Sequence, residues 1–184
     1  MGDYSLPNYK IVLTGEYSVG KSSLMCRYTK NRFDENSVST IGAAFSVTKT
    51  PNGLNIGIWD TAGHERYNSL LPLYFRGAHV IIYCIDSTRN CDISKINKDI
   101  ENIKLDTTIS TKIFFAVTKC DEKNRKIESL ETYVNDKIYY TSSKTGTNIQ
   151  ELFTDIGLYL ENIKPEIKET LAVEHEKKKK CCNV

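Results

Sequence analysis

A glycine-rich stretch between a predicted strand and a predicted helix has the spacing of a phosphate-binding loop. Its frame is Gly15, four residues, then Gly20, Lys21 and Ser22, within GEYSVGKSS. In such a loop, backbone N–H groups bind phosphate oxygens and the N-terminus of the next helix adds a favourable field. The lysine would reach the β- and γ-phosphates, and the serine hydroxyl would bind Mg²⁺. A chance glycine-rich turn is the alternative, and the flanking strand and helix argue against it.

Asp60 and Gly63 lie in a second segment, WDTAG, where another predicted strand ends. The carboxylate of Asp60 could hold Mg²⁺ through water, and the N–H of Gly63 could contact a γ-phosphate. An aspartate that only caps a turn is the alternative for this motif in isolation.

The segments TKCD and TSSK follow two more predicted strands and could select the base. The carboxylate of Asp121 can accept hydrogen bonds from the ring N–H and the exocyclic amine of guanine, a pattern that adenine lacks. The aliphatic stems of Lys119 and Lys144 can lie along the faces of the base, and the N–H of Ser143 can meet the guanine carbonyl. These motifs favour GTP over ATP and disfavour a P-loop kinase or ATPase.

Apolar runs alternate with helical stripes along the chain, which predicts the elements that position these motifs. Nearly continuous runs, typical of strands buried on both faces, cover residues 9–15, 80–86, 113–119 and, as a last strand, 136–142. An antiparallel hairpin at the sheet edge is predicted over 44–50 and 54–60. Helical spacing of apolar residues predicts helices over 93–103, 127–134 and 149–163, besides one that starts near Lys21. This order predicts a three-layer α/β domain with a mostly parallel six-stranded sheet and one antiparallel edge strand.

Length and composition are those of one soluble globular domain. The chain has 184 residues, of which 40% are hydrophobic and 26% are charged. We expect a short extension over 1–8, a folded domain over 9–164 and a flexible tail over 165–184. No apolar run reaches the roughly 20 residues that a membrane span needs, and we expect no signal peptide.

The net charge of +2 comes from the tail. Removing the four lysines at 177–180 leaves 21 of the 25 basic residues against 23 acidic ones, so we expect no nucleic-acid binding. The six cysteines show no C-x-x-C spacing, which favours a reduced, cytoplasmic compartment over a disulfide framework or a zinc site.

Taken together, these motifs make the chain resemble small GTPases of the Ras superfamily, and more narrowly the Rab family. The Rab-like segments are TIGAAF (40–45), WDTAGHERYNSL (59–70) and YFRGA (74–78), and the switch segments are most similar to those of early-endosomal Rabs. The resemblance implies a P-loop GTPase (G) domain over 9–164. It also implies a GTP/GDP-dependent switch in vesicle and endosomal trafficking, with Mg²⁺ as cofactor and GTP hydrolysis as the reaction.

The resemblance also implies the site. Switch I lies around Thr40, whose hydroxyl would bind Mg²⁺ with Ser22 and, through water, Asp60; switch II runs over 62–74. Both switches would be ordered by GTP and released after hydrolysis. The implied nucleotide-binding residues are Gly15, Ser18, Val19, Gly20, Lys21, Ser22, Ser23, Phe33, Thr40, Gly63, Thr118, Lys119, Asp121, Ser142, Ser143 and Lys144.

Three aromatic residues match the triad through which Rabs meet effectors, namely Phe45, Trp59 and Tyr74. A core position on a strand face is the alternative for Trp59. The implied partners are effectors, an exchange factor, a GTPase-activating protein and the chaperones of prenylated Rabs, all bound by a monomer.

Several features depart from the family pattern. His64 stands where most members have the glutamine that orients the attacking water, so we expect slow hydrolysis. Tyr17 stands where a small residue is usual, and its ring could exclude an activator's arginine or only cover the edge of switch I. Thr118 replaces an asparagine, as in Rho-type members. The segment between Asp121 and TSSK is short, which predicts a trimmed fourth helix. A GTP-binding scaffold that hydrolyses essentially no GTP is the alternative function.

The chain ends in KKKKCCNV, which resembles the Cys-Cys-x-x prenylation site of Rabs at Cys181 and Cys182. Read from Cys181, the ending also fits C-a-a-X. Double geranylgeranylation is the prediction, with single prenylation or no lipid as alternatives. Two lipid chains and nearby lysines would hold a cytoplasmic protein reversibly on an anionic membrane leaflet of endosomes or vesicles.

Overall fold

The computed structural model describes residues 7–107, 111–126, 130, 134 and 136–163. The strands are β1 (Tyr9–Thr14), β2 (Ala43–Lys49), β3 (Asn55–Thr61), β4 (Val80–Asp86), β5 (Lys112–Thr118) and β6 (Ile138–Tyr140). The helices are α1 (Lys21–Lys30), α2 (Leu71–Phe75), α3 (Ile93–Asp106) and α4 (149–163), and a 3-10 helix (Glu65–Leu70) precedes α2.

The strands form one six-stranded sheet in the order β2-β3-β1-β4-β5-β6. Strand β2 pairs antiparallel with β3, and every other pair is parallel. The predicted fold class is therefore confirmed, including the antiparallel edge strand. The last strand is shorter than the predicted 136–142. The N–H of Thr141 still bonds to Val117 O (2.7 Å), and the chain leaves the sheet at Ser142, whose N–H bonds to Thr147 O in the next loop (3.1 Å).

Two apolar clusters lie on opposite faces of the sheet, as alternation along the strands requires. In β1, Ile11 and Leu13 join the cluster that contains Leu24 of α1 and the buried residues of α4, whereas Val12 joins the cluster that contains those of α3. The predicted helical stripes supply these contacts, so the three-layer arrangement follows from them.

The predicted helix over 127–134 falls largely outside the described residues. Of that segment, only Leu130 and Val134 are described; Leu130 is buried, and the N–H of Val134 bonds to its carbonyl (3.1 Å). The predicted tail over 165–184, with Cys181 and Cys182, also lies outside the described residues.

The topology brings the chemistry-bearing segments to one edge. Strands β1, β3, β4, β5 and β6 all run in the same direction, so their carboxyl ends meet there. The loop after β1, the segment after β3 and the loops after β5 and β6 carry the four predicted motifs.

Candidate nucleotide-binding site

A cavity of about 480 Å³ opens at this edge of the sheet. It is lined by the loop after β1, by residues 33–40 and by the loops that follow β3, β5 and β6. The predicted nucleotide-binding residues that line it are Ser18, Gly20, Lys21, Ser22, Ser23, Phe33, Thr40, Gly63, Thr118, Lys119, Asp121, Ser143 and Lys144. Gly15, Val19 and Ser142 support this lining through contacts described below.

The loop between β1 and α1 folds around the ammonium group of Lys21. This buried group donates hydrogen bonds to the carbonyls of Gly15 (2.9 Å) and Glu16 (2.7 Å), and burial lowers its pKa. Gly15 has φ +129°, and a Cβ there would lie 2.3 Å from the carbonyl oxygen of Cys84 in β4. Only glycine fits this position, which explains the first residue of the motif.

Gly63 packs directly against the same loop. A Cβ at this position would lie 2.4 Å from Lys21 Nζ and 2.3 Å from the carbonyl oxygen of Glu16. The segment after β3 therefore reaches the phosphate loop at the predicted point, and only a residue without a side chain permits the approach.

Ser22, Thr40 and Asp60 converge beside the loop. The Oγ of Ser22 lies 2.7 Å from Thr40 Oγ1, which donates to Asp60 Oδ2 (3.0 Å). Asp60 is buried, and burial raises its pKa, while hydrogen bonds from Ser22 and Thr40 act in the opposite direction. Its second oxygen, Oδ1, is buried without a hydrogen-bond partner.

An unpartnered buried carboxylate oxygen beside two hydroxyls fits a hard cation or a water bound to one. Oxygen donors of this kind suit Mg²⁺, which usually keeps several waters. Within the described part of the chain, no group of three His, Cys, Asp or Glu side chains forms a metal site. A cation at this point would therefore depend on the two hydroxyls as well as on Asp60.

Thr118 connects the end of β5 with the phosphate loop. Its buried Oγ1 lies 2.5 Å from the carbonyl oxygen of Val19 and 3.0 Å from that of Ile85. The end of β5 is thus tied to the phosphate loop through a hydroxyl in place of an amide. Val19 itself is buried beneath the loop.

Lys119 and Asp121 are held by neighbouring groups on the base side of the cavity. Lys119 adopts φ +58°, and its Nζ donates to Ser18 O (2.9 Å) and to Asp86 Oδ2 (2.6 Å), which stretches its stem across the cavity edge. The hydroxyl of Ser142 donates to Asp121 Oδ1 (2.5 Å).

Tyr17 contacts both segments that were predicted to be switches. Its side chain is 48% exposed, its hydroxyl lies 2.8 Å from Ser39 Oγ, and its ring meets the ring of His64 edge-on at a centroid distance of 5.8 Å. The sequence analysis gave cover of the edge of switch I as one interpretation; the side chain is partly exposed and contacts both segments.

The imidazole of His64 is engaged by its own neighbours. Nε2 lies 3.1 Å from the guanidinium of Arg66, and Nδ1 lies 3.1 Å from Glu65 Oε2. Nδ1 also accepts the backbone N–H of Arg66 (3.4 Å), so this nitrogen faces both a donor and an acceptor, whereas Nε2 faces the guanidinium donor. Both ring nitrogens are then occupied.

The three predicted effector residues form one aromatic row. The ring of Trp59 lies 4.8 Å from that of Phe45 and 5.7 Å from that of Tyr74. Phe45 is half-exposed. Trp59 is partly buried and packs against the core, as the alternative of a core position on a strand face expected, and its role toward effectors stays a prediction.

Several residues that shape the site carried no recognisable sequence motif. Ser39 meets Tyr17, Glu35 pairs with Lys144 across the cavity mouth (2.7 Å), and Arg27 of α1 bonds to the loop after β6. These contacts join segments far apart in the chain, so no local spacing could have indicated them.

A phosphate-loop motif at the carboxyl edge of a parallel sheet, with residues of the TKCD and TSSK segments lining the same cavity, is the arrangement of a P-loop nucleotide-binding protein. The family model described as "Ras family" matches residues 10–162. Ras-related protein RABF2b of Arabidopsis thaliana is 38% identical over 167 residues, covering 86% of this chain and 84% of the relative. GTP-binding protein ypt5 of Schizosaccharomyces pombe is 39% identical over 161 residues, covering 82% and 76%.

The chain therefore belongs to the Ras family and, within it, to the Rab-type small GTPases. The predicted family is confirmed. Members of this family are GTPases, so the reaction of this chain is the hydrolysis of GTP to GDP and phosphate.

The Thr118 hydroxyl generates a testable prediction. Replacing Thr118 with valine keeps the shape and leaves a buried carbonyl of the phosphate loop unpaired, which costs about 1–3 kcal/mol. We expect the free energy of unfolding to fall by about that amount and GDP to dissociate faster. Chemical denaturation and the release of a fluorescent GDP analogue measure both effects.

Thr154→Val provides the matched control, because Thr154 is exposed on α4 and outside the cavity. If Thr118→Val behaves like Thr154→Val in both measurements, the link between β5 and the phosphate loop has no energetic role.

Proposed function

We propose that this chain is a GTP/GDP-dependent switch of vesicle and endosomal membrane trafficking that binds GTP with Mg²⁺ and hydrolyses it slowly. The observation that carries the proposal is the bridge formed by Tyr17, which contacts Ser39 on one side of the cavity and His64 on the other. A side chain of this size at the phosphate end affects both intrinsic hydrolysis and access by an activator.

The roles of the chain's residues at the phosphate end follow from their positions. Lys21 and the backbone N–H groups from Ser18 to Ser23 would bind the phosphates, and the N–H of Gly63 would contact the γ-phosphate. Ser22 and Thr40 would bind Mg²⁺ directly and Asp60 through water, as the unpartnered Oδ1 supports. The metal would supply charge neutralisation on the β- and γ-phosphates.

At the other end of the cavity, Asp121 would select guanine. Its carboxylate would accept the ring N–H and the exocyclic amine, and the N–H of Ser143 would meet the carbonyl. Phe33 and the stems of Lys119 and Lys144 line the walls around the base.

Slow hydrolysis is supported by the surroundings of His64. Nε2 has the Arg66 guanidinium as a neighbour, and Nδ1 has Glu65 and the backbone N–H of Arg66, so His64 would have to give up one of these contacts to orient a water. A residue at this position raises the rate only when it holds the water in line with the γ-phosphate, and small errors of position are costly.

A single-turnover assay tests the role of His64. We expect His64→Gln to hydrolyse bound GTP about 10-fold faster or more, because the amide reaches further and is released from the two neighbours. Chelation of Mg²⁺ with EDTA should abolish turnover in both proteins. A glutamine variant no faster than the parent would show that His64 does not limit the rate.

Tyr17 would also limit activation by a partner. An arginine supplied by an activating protein must approach the γ-phosphate, and the ring that contacts Ser39 and His64 would lie across that approach. Such an arginine contributes about 10³–10⁵ in rate, so its exclusion outweighs changes in the intrinsic reaction.

Substitutions of Tyr17 distinguish the effect of its ring from the effect of its hydrogen bond to Ser39. We expect Tyr17→Gly and Tyr17→Ser to respond to a Rab-type activating protein with a rate increase of about 10³-fold, while the parent responds weakly. Tyr17→Phe is the control, since it keeps the ring and loses the bond to Ser39, and it should remain unresponsive. An unchanged response of the glycine variant would refute the exclusion.

The alternative is a GTP-binding scaffold that hydrolyses essentially no GTP and recruits effectors in one fixed state. The double engagement of the His64 imidazole favours it. The same single-turnover assay decides, since a scaffold retains its GTP even with an activating protein present.

The exposed parts of the chain suggest its partners. The row of Phe45, Trp59 and Tyr74 would meet effectors, and an exchange factor, an activating protein and prenyl-Rab chaperones would complete the cycle of a monomeric, cytoplasmic protein. None of the described helices has the length and apolar character to cross a membrane. Membrane association would depend on prenyl groups at Cys181 and Cys182 and on the lysines before them.

Mass spectrometry of the protein from its native cell tests the lipid anchor. We expect two geranylgeranyl groups, because two chains hold a protein stably where one is marginal. Cys181→Ser with Cys182→Ser should release the protein from membranes. An unmodified C-terminus would refute the proposed anchor, and a single prenyl group would support the C-a-a-X interpretation.

A further inference from the structure

Arg27, in the last turn of α1, connects the phosphate side of the site with the base side. Its Nε donates to the carbonyl of Ser143 (2.6 Å), and one terminal nitrogen donates to the carbonyl of Lys144 (2.9 Å). The other terminal nitrogen lies 3.1 Å from both the carbonyl and the side-chain oxygen of Asn31. All three guanidinium nitrogens are thus used within this cluster.

These acceptors are two consecutive carbonyls of the loop that follows β6. Because each peptide unit is planar, a bond to the carbonyl of one residue also fixes the N–H of the next. The bond to the Lys144 carbonyl therefore fixes the N–H of Thr145, which donates to Ser142 Oγ (3.1 Å). The hydroxyl of Ser142 in turn donates to Asp121 Oδ1 (2.5 Å).

A continuous series of bonds thus runs from Arg27 to the carboxylate of Asp121. The first link is a planar fork whose separate nitrogens serve two carbonyls in a fixed geometry, which the single ammonium nitrogen of a lysine does not provide. The helix that carries this fork begins at Lys21, beside the phosphate loop. Helix α1 therefore connects the phosphate loop at one end of the cavity with the loop after β6 at the other.

We propose that Arg27 is a positioning residue for guanine selection, which holds the loop after β6 so that Ser142 orients the Asp121 carboxylate toward the base. This inference rests on the proposed guanine contacts of Asp121. It predicts that loss of Arg27 weakens the discrimination between bases more than it weakens the binding of phosphates.

The test compares the affinities for GDP and for inosine diphosphate, which lacks the exocyclic amine that Asp121 would accept. We expect Arg27→Met to reduce the preference for GDP about 10-fold, because a misplaced carboxylate loses most of a charged hydrogen bond. Arg27→Lys, which keeps the charge and loses the fork, should also reduce it. The ratio of the two affinities does not depend on the fraction of folded protein.

Two control variants isolate the bonds to the loop. Asn31→Gly removes the side-chain oxygen near Arg27 and suits the left-handed conformation of residue 31 (φ +50°). Lys30→Met removes an exposed positive charge from the same helical turn. Both should keep the parental preference for GDP, since neither changes the bonds to Ser143 and Lys144.

The outcomes separate this inference from the proposed function. If Asp121→Ala abolishes the preference for GDP while both Arg27 variants keep it, the positioning role is refuted and the guanine site stands. If Asp121→Ala also keeps the preference, the guanine site itself is wrong, and the inference fails with it. An equal loss of affinity for both nucleotides in Arg27→Met would show a general structural role and refute the inference.

Discussion

The site depends on a single buried charge, the ammonium group of Lys21, held between two carbonyls of its own loop. Burial of an amine without compensation is costly, so the loop must curl tightly enough to supply those carbonyls. That curvature needs the positive φ of Gly15 and the close approach of the loop to Cys84 in β4. It also leaves room for Gly63 only because Gly63 has no side chain. The phosphate loop, the sheet and the segment after β3 are thus fixed relative to one another by one ion and two glycines.

Around this fixed centre the remaining contacts fall into two groups. On the base side, Thr118, Lys119 and Arg27 tie neighbouring loops together through bonds to backbone carbonyls, which do not depend on the phosphate. On the other side, the hydroxyl of Thr40 meets that of Ser22, while Tyr17 meets Ser39 through their hydroxyls and His64 through its ring edge. Such contacts between partly exposed side chains are individually weak. The structure therefore joins a half of the cavity tied by bonds to backbone carbonyls to a half with weaker side-chain contacts.

Most of the fold could be predicted from local patterns. Apolar runs and helical stripes indicated the strands and the long helices to within a few residues, because buried elements require continuous or periodic apolar surfaces. The end of β6 was the weakest boundary, since the chain leaves the ladder to form a loop whose bonds are not visible as a pattern. The phosphate and base motifs were recognisable because each needs particular residue types next to one another.

The sequence by itself determined the class of protein, the nucleotide motifs and their order along the sheet, because phosphate binding and strand burial impose short-range constraints on residue type. Only the tertiary structure decided which partners several side chains around the cavity meet. It showed that Thr118 reaches the phosphate loop through its hydroxyl, that Tyr17 contacts both Ser39 and His64, and that Arg27 holds the loop after β6. Each of these contacts joins residues many positions apart, and a side chain's partner across such a distance is set by the packing of the whole sheet.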